Sequence, residues 1–258
     1  MKQQYIASVS FGKDSLCMLL LLIEQKYPLD QVIFYNTGME FQAIYNVRDK
    51  VLPLLKKHNI KYTEIKPKNT FEFDMFERKI NKKDGTTSKG YSWCGGLARW
   101  GTRQKLNELE KVAKQTKGSI EYVAIAYNEQ QRAKESESKR YPLIEWQITE
   151  TEALQYCYDK GYNWDENGVD LYEVLDRVSC WCCRNKNLKE LKNYYLYLPE
   201  YWKRLKEMQN KTDRPFYQNK RTIQDLEKRF KKEIKETKKQ KIIKQLTIYD
   251  MEELKEEE

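Results

Sequence analysis

Histidine is almost missing: His58 stands alone in 258 residues. Chemistry that needs several imidazoles is therefore excluded. His58 itself, in Lys-Lys-His-Asn near a helix end, reads as a surface residue or a partner of the helix dipole. Long apolar runs are missing too. The longest, Leu16 to Ile23, is far short of the ~20 residues that span a bilayer. The chain opens Met-Lys-Gln-Gln and goes straight into a strand, with no secretory signal. A cytoplasmic protein with no membrane partner is the expectation. No internal repeat is visible, and no glycine-bracketed Walker A loop.

The six cysteines are too unevenly placed for a disulfide framework, which a cytosolic chain would not keep in any case. Cys17, Cys94 and Cys157 are isolated, whereas Cys180, Cys182 and Cys183 fall together. Hydrophobic residues make up 40%, enough for a sizeable core, and the net charge is +9 with a pI near 9.0. The positive excess suits phosphate-bearing ligands, nucleotide or nucleic acid, as well as a plain lysine-rich surface.

Periodicity predicts strands over Tyr5 to Ser10, Gln31 to Asn36, Lys61 to Ile65 and Tyr122 to Ala126. It predicts helices over Asp14 to Tyr27, Phe41 to His58 (with Pro53 as a kink or early stop), Thr70 to Ile80 and Arg99 to Thr116. Asn81 to Gly90 reads as a polar loop. Strands alternating with helices imply βαβ units and a parallel sheet: an α/β, Rossmann-like fold with flanking helices. After Pro142 helices and loops dominate. We divide the chain into a nucleotide-binding domain at 1–145, a helical cysteine-bearing region at 146–215 and a charged helical tail at 216–258.

The first strand and helix meet at Ser10-Phe-Gly-Lys-Asp-Ser15. A helix N-terminus there offers backbone N–H groups and a favourable dipole to an anion. Gly12 allows close approach, Ser10 and Ser15 donate hydroxyls, Lys13 adds a charge, and Asp14 would hold a cation or cap the helix. The alternative is a structural turn with incidental polar residues.

Ser-Phe-Gly-Lys-Asp-Ser resembles the PP-loop of the ATP-pyrophosphatase (adenine nucleotide alpha hydrolase) superfamily. Downstream blocks match its phosphoadenosine phosphosulfate (PAPS) reductase-like branch, in order. They are Phe-Tyr-Asn-Thr-Gly-Met-Glu-Phe from Phe34, with Asn36 where the family has aspartate, and Trp-Cys-Gly-Gly-Leu-Ala-Arg-Trp from Trp93. Ala-Ile-Ala-Tyr-Asn-Glu-Gln-Gln-Arg ending at Arg132, Tyr-Pro-Leu-Ile-Glu-Trp from Tyr141, and Arg-Val-Ser-Cys-Trp-Cys-Cys-Arg from Arg177 follow. That branch also holds FAD synthetases, the small subunit of ATP sulfurylase and DNA phosphorothioation sulfurtransferases, and the chain looks close to the last.

The resemblance implies an adenine nucleotide, ATP–Mg²⁺ or PAPS, with phosphates on Ser10, Gly12, Lys13 and Ser15 and adenine near Phe34, Asn36, Thr37 and Gly38. Arg132 would bind the anion. Arg99 and Arg103, on one helix face with Lys105 to the side, would take a phosphate or sulfate if they are not merely solvated. Lys13, Asp14 and Arg132 would be catalytic, with Asp14 placing Mg²⁺. The Cys180-x-x-Cys183 spacing lets two thiolates reach one metal or cluster. Cys94, brought near by the family fold, and Cys182 would complete a [4Fe–4S] site or a zinc site. Otherwise the turn is a reduced one packed by Trp181. Cys17 and Cys157 read as inert core.

Three functions compete at this stage. ATP adenylates an acceptor, pyrophosphate leaves and sulfur from the cysteine site displaces AMP, the partners being nucleic acid or a sulfur-donor protein. Alternatively the chain reduces PAPS to sulfite. Those reductases use a later cysteine in a Glu-Cys-Gly-Leu-His motif, and no cysteine follows Cys183. In the third, the chain is a nucleotide-binding module without turnover. The aromatic and basic stretch Leu191 to Met208 reads as helical core rather than a base-stacking surface.

Overall fold

In the computed structural model, residues 3–115, 118–217 and 220–238 are described. The chain separates into two compact units, Met1–Lys186 and Asn187–Glu258. The sheet, the helices between Pro142 and Val174 and the cysteine turn all belong to the first.

That unit is built on a five-stranded sheet: β1 (Tyr5–Ser8), β2 (Gln31–Tyr35), β3 (Lys61–Ile65), β6 (Ile120–Tyr122) and β7 (Lys139–Arg140). The order is β3-β2-β1-β6-β7 and every pair is parallel. The chain walks outward from β1 to β3, then returns to the other side of β1. Such a reversal opens a crevice at the carboxyl ends of the strands on either side of it. The loop after β1 stands at that place, and the fold is α/β as the periodicity implied.

Helices α1 (Lys13–Glu24), α2 (Gln42–Lys57) and α3 (Trp100–Gln115) connect the strands. The leucine-rich α1 is buried on nearly every side, with Leu16, Leu19 and Leu22 fully enclosed. Each such side chain contributes about 2 kcal/mol of burial. Helix α2 runs through Pro53 to Lys57 with His58 as its C-cap. Helices α4 (Pro142–Glu145), α5 (Glu150–Asp159) and α6 (Leu171–Val174) follow, and α5 packs along α1. A capping box between Thr149 and Glu152 fixes where α5 begins. Cys17 and Cys157 are both fully buried, and burial pushes the Cys17 thiol up to about 12.

Three expectations are corrected. The fourth strand lies at Ile120–Tyr122, two residues earlier in its start than the periodicity suggested, and two-residue β7 beside it was not anticipated. The Thr70 to Ile80 helix is a π-turn, Phe73–Glu77. The polar segment after it is a β-hairpin, β4 (Lys79–Asn81) with antiparallel β5 (Thr87–Lys89). Asp84-Gly85 at its tip, with Gly85 at φ +79°, supplies the left-handed residue that a tight reversal requires.

The second unit contains α7 (Leu188–Tyr197), α8 (Pro199–Gln209) and a helix over 223–238. Leu191, Tyr194, Leu198, Tyr201, Trp202, Leu205 and Met208 are buried, so the aromatic stretch is core. Residues 239–258 of the charged tail lie outside the described residues. No helix among the described residues is long and apolar enough to cross a membrane.

Candidate functional site

The loop after β1 turns through Phe11, which sits at φ +59° and is completely buried. An L-residue in the left-handed region is costly and persists only when its surroundings hold it. Here the Phe11 ring meets Phe34 edge-on at 5.2 Å, and the Phe11 carbonyl accepts from Trp164 Nε1 at 2.8 Å. The turn is thereby fixed before any ligand arrives.

Gly12 is the N-cap of α1 and has no side chain with which to cap it. A Cβ on Gly12 would come within 3.2 Å of the Tyr172 hydroxyl and 3.7 Å of both Ser10 Oγ and the Val178 carbonyl. The Lys13 N–H donates to Tyr172 Oη at 2.8 Å. Ser10 and Ser15 lock together: the Ser10 N–H donates to Ser15 Oγ at 3.2 Å, and the two hydroxyls are 3.1 Å apart.

Over the loop lies a cleft of about 210 Å³ whose charged lining comes from Lys13, Asp14, Glu129, Arg132, Glu150 and Arg177, with Asp176 nearby on its wall. The charges are interlocked. Lys13 Nζ is 3.0 Å from Asp14 Oδ1 and 2.8 Å from Glu150 Oε1. Glu150 also accepts from Asn128 Nδ2 at 3.2 Å. Glu129 pairs with Arg132 and, at 2.9 Å, with Arg177. Burial raises the Asp14 carboxyl above its ordinary range despite Lys13, with Glu150 and Glu129 adding to the rise. Burial acts the same way on Glu150, but the bonds from Lys13 and Asn128 outweigh it and hold that carboxyl low. A lining of both signs suits a metal-bound polyphosphate, which carries both: carboxylates for the cation, cations and helix N–H groups for the phosphates.

The cysteine turn adjoins this cleft. Val178 and Ser179 line it, and Cys180 is the next residue. The turn is closed by the Cys183 N–H donating to the Cys180 carbonyl at 3.0 Å. Cys94 lies across from it, tied by the Arg184 N–H to its carbonyl at 3.2 Å. The Cys94 sulfur accepts from the backbone N–H groups of Gly101 and Thr102 at the start of α3, yet burial still raises its thiol. A Cβ on Gly101 would stand 3.1 Å from that sulfur, so the glycine makes room for it. Cys180 Sγ is 3.7 Å from Thr37 Oγ1 and 3.9 Å from Glu40 Oε1. Burial first, then Glu40, pushes the Cys180 thiol up to about 12. Cys182 is fully buried and its thiol is driven up strongly.

"Phosphoadenosine phosphosulfate reductase domain" is the family description that matches residues 4–172. The chain belongs to that family. Among its relatives, the adenosine 5'-phosphosulfate reductase of Staphylococcus epidermidis is 26% identical over 189 residues, which is 68% of this chain and 69% of that protein. An uncharacterized protein of Methanocaldococcus jannaschii is 24% identical over 220 residues. That match takes in 79% of this chain but 41% of the relative's own length. Among solved structures, the U34-tRNA thiolase NcsA from Methanococcus maripaludis with its [4Fe-4S] cluster aligns at 14% identity. Its TM-score is 0.40, with 78% of this chain and 72% of that chain covered.

Of the residues that the PAPS reductase-like motifs single out, the fold collects Ser10, Gly12, Lys13, Asp14, Ser15 and Arg132 around one cleft. Others it places elsewhere. Phe34 is 1% exposed and packed on Phe11, so its ring has no face for adenine. Asn36 is committed: its Nδ2 donates to Glu64 at 2.8 Å and its Oδ1 accepts from the Gly38 N–H and the Tyr45 hydroxyl. Thr37 and Gly38 line a second cleft of about 630 Å³, together with Lys66, Lys68 and Phe73. The two clefts share no lining residue. Arg99, just before α3, and Arg103, within it, are exposed and do not line the loop cleft. Their neighbour Lys105 is the one whose charge reaches Cys180.

Sequence reading missed Glu150, Tyr172, Asp176 and Arg177. In sequence Glu150 is an ordinary first-turn acid, and nothing local marks a tyrosine whose hydroxyl accepts an N–H from far back in the chain.

Among the described residues, no three Cys, His, Asp or Glu side chains converge closely enough to hold an ion. Cys182 is enclosed in the core while Cys180 and Cys183 are only half-buried.

Proposed function

We propose that the chain binds an adenine nucleotide as its Mg²⁺ complex at Ser10–Ser15 and catalyses adenylation with release of pyrophosphate, coupled to sulfur transfer at the cysteine turn. One observation carries the reading: the N-terminus of α1, where Gly12 offers no capping side chain, opens into a cleft where Lys13, Arg132 and Arg177 are held in place by carboxylates.

In this reading an acceptor oxygen attacks the α-phosphorus and the bond to pyrophosphate breaks. Charge grows on the leaving oxygens. Lys13, the hydroxyls of Ser10 and Ser15 and the α1 N-terminus stabilise that charge, being already oriented when it forms. Asp14 and Glu150 take the Mg²⁺ that accompanies the nucleotide. Arg132 and Arg177 exchange part of their hold on Glu129 for phosphate. Sulfide-level sulfur brought to the turn by a sulfur donor then attacks the activated carbon, the carbon–oxygen bond breaks and AMP leaves with the acceptor oxygen, a short path because Ser179 lines the cleft and Cys180 follows it.

An all-thiol donor set is the one that iron–sulfur clusters use. Cys94, Cys180 and Cys183, with Cys182 as the fourth, are the side chains that would hold one, and its chemistry would be to carry sulfur or electrons.

A second reading, reduction of a sulfonucleotide in the same cleft, is favoured by the likeness to the adenosine 5'-phosphosulfate reductase of Staphylococcus epidermidis. The absence of any cysteine beyond Cys183 counts against it. Purified protein incubated anaerobically with ATP, or with PAPS or adenosine 5'-phosphosulfate plus a dithiol, separates the two. Pyrophosphate from ATP supports the first reading, and sulfite from the sulfonucleotide replaces it with the second. Tight nucleotide binding with neither product would leave a binding module. Iron and acid-labile sulfide analysis of the same preparation tests the cluster, and protein free of both after anaerobic isolation sinks it.

A further inference from the structure

We infer that the β4–β5 hairpin is a docking surface for the phosphate backbone of a nucleic acid. In its register Lys79 stands directly opposite Lys89, Ile80 opposite Ser88, and Asn81 opposite Thr87. Side chains alternate across a strand. Lys79, Lys89, Asn81 and Thr87 therefore share one face, and all four are exposed. Ile80 and Ser88 share the other and are half-buried. Lys82 and Lys83 at the tip are also exposed.

Like charges directly opposite on paired strands are destabilising, and here nothing relieves them. The hairpin's one acid, Asp84, accepts from the N–H and hydroxyl of Thr86 at 2.9 and 2.6 Å. Among the described residues, none of the four lysines has an ion-pair partner. A repulsive pair maintained at the base of the ribbon is what a polyanion would offset.

The hairpin is also held rigid at its base, so little ordering would be lost on binding. Gly90 N–H donates to the Arg78 carbonyl at 2.7 Å, and the Tyr91 and Ser92 N–H groups donate to the carbonyls of Asp74 and Met75 at 2.9 and 2.8 Å. A Cβ on Gly90, at φ +59°, would fall 2.0 Å from the Met75 carbonyl oxygen. Asp74, 2% exposed, gathers Asn69, Arg78 and Gln104 beneath it.

The chemistry of the face selects the partner. It presents lysine point charges, an amide and a hydroxyl, with no apolar group to enter a lipid surface or fill a pocket on a protein. Such groups contact phosphates without reading bases, and a two-stranded ribbon is narrow enough to enter a major groove. The inference does not depend on the nucleotide reading.

The test is fluorescence anisotropy of the full chain with short single-stranded and duplex oligonucleotides over a salt series, with polyglutamate as competitor. Wild type is expected to bind, and removal of all four charges in K79A/K82A/K83A/K89A to cost at least tenfold in affinity. The slope of log affinity against log salt should fall by about 3, near one per lost phosphate contact. The single change K89E supplies a partner for Lys79, so the melting temperature should hold or rise while affinity drops severalfold. A merely structural lysine would show the reverse. Absence of oligonucleotide binding at low salt, an unchanged slope in the quadruple variant, wild-type affinity in K89E, or displacement by polyglutamate as effective as by nucleic acid would each overturn the inference. Lys13→Ala, which tests the nucleotide site, should leave oligonucleotide binding unchanged.

Discussion

The loop cleft and the cysteine turn lie side by side in one unit but are built on opposite principles. In the cleft, positive and negative groups are paired with each other at 2.8 to 3.0 Å, and the backbone turn is clamped by Phe34 and Trp164. Its geometry is fixed in advance. At the turn, burial raises the thiols of Cys180 and Cys182, and among the described residues no three ligating side chains converge. In the cleft, Lys13, Arg132 and Arg177 each lie against a carboxylate. Thiolates gathered without a cation would repel one another.

The sharpest break in this comparison is Lys13→Ala. Removing a preorganised donor from such a site costs on the order of 10²-fold or more in turnover, and pyrophosphate release should fall by that factor with circular dichroism unchanged. Cys180→Ser should spare pyrophosphate release and abolish sulfur transfer. Equal loss in both variants would mean that the two regions act as one.

Next in size is Tyr172→Phe. It leaves the Lys13 N–H without its partner, which should lower stability by about 1 kcal/mol. Denaturant unfolding measures this.

Asp14→Asn gives a smaller, pH-dependent effect. The folded protein raises the Asp14 carboxyl above its ordinary 3.8. Its ionised form is therefore disfavoured by folding, a cost present at neutral pH and absent once the group is protonated in both states. The variant should melt about 2 °C higher at pH 7, with the gain vanishing as pH falls below 3.8. A melting point that is lower at pH 7 would show that the Lys13 pair outweighs burial.

The smallest signal is thiol alkylation. With its thiol near 12, Cys180 should label slowly at pH 8, and Glu40→Gln should quicken it severalfold by removing the second cause of the rise. Cys17, Cys157 and Cys182 should stay unlabelled in the native protein. Fast labelling of Cys182 would mean that the turn opens.

The first three strands and three long helices were legible because each shows its own period: continuous apolar runs in β1 and β2, an apolar stripe in α2. The hairpin was read as loop because three-residue strands with exposed lysines show no hydrophobic alternation. β7 has two residues, and its pairing to β6 rather than its composition makes it a strand.

What the sequence alone determined is local: a helix opening at Gly12 with hydroxyls, a lysine and an acid about it, and a Cys-x-x-Cys turn. Their chemistry is written in neighbouring residues. Only the tertiary structure decided that Glu150, Tyr172 and Arg177 complete the loop, that Phe34 is core, and that Arg99 and Arg103 stay outside. Those outcomes follow from strand order, which brings distant segments to one sheet edge, and no residue carries that information by itself.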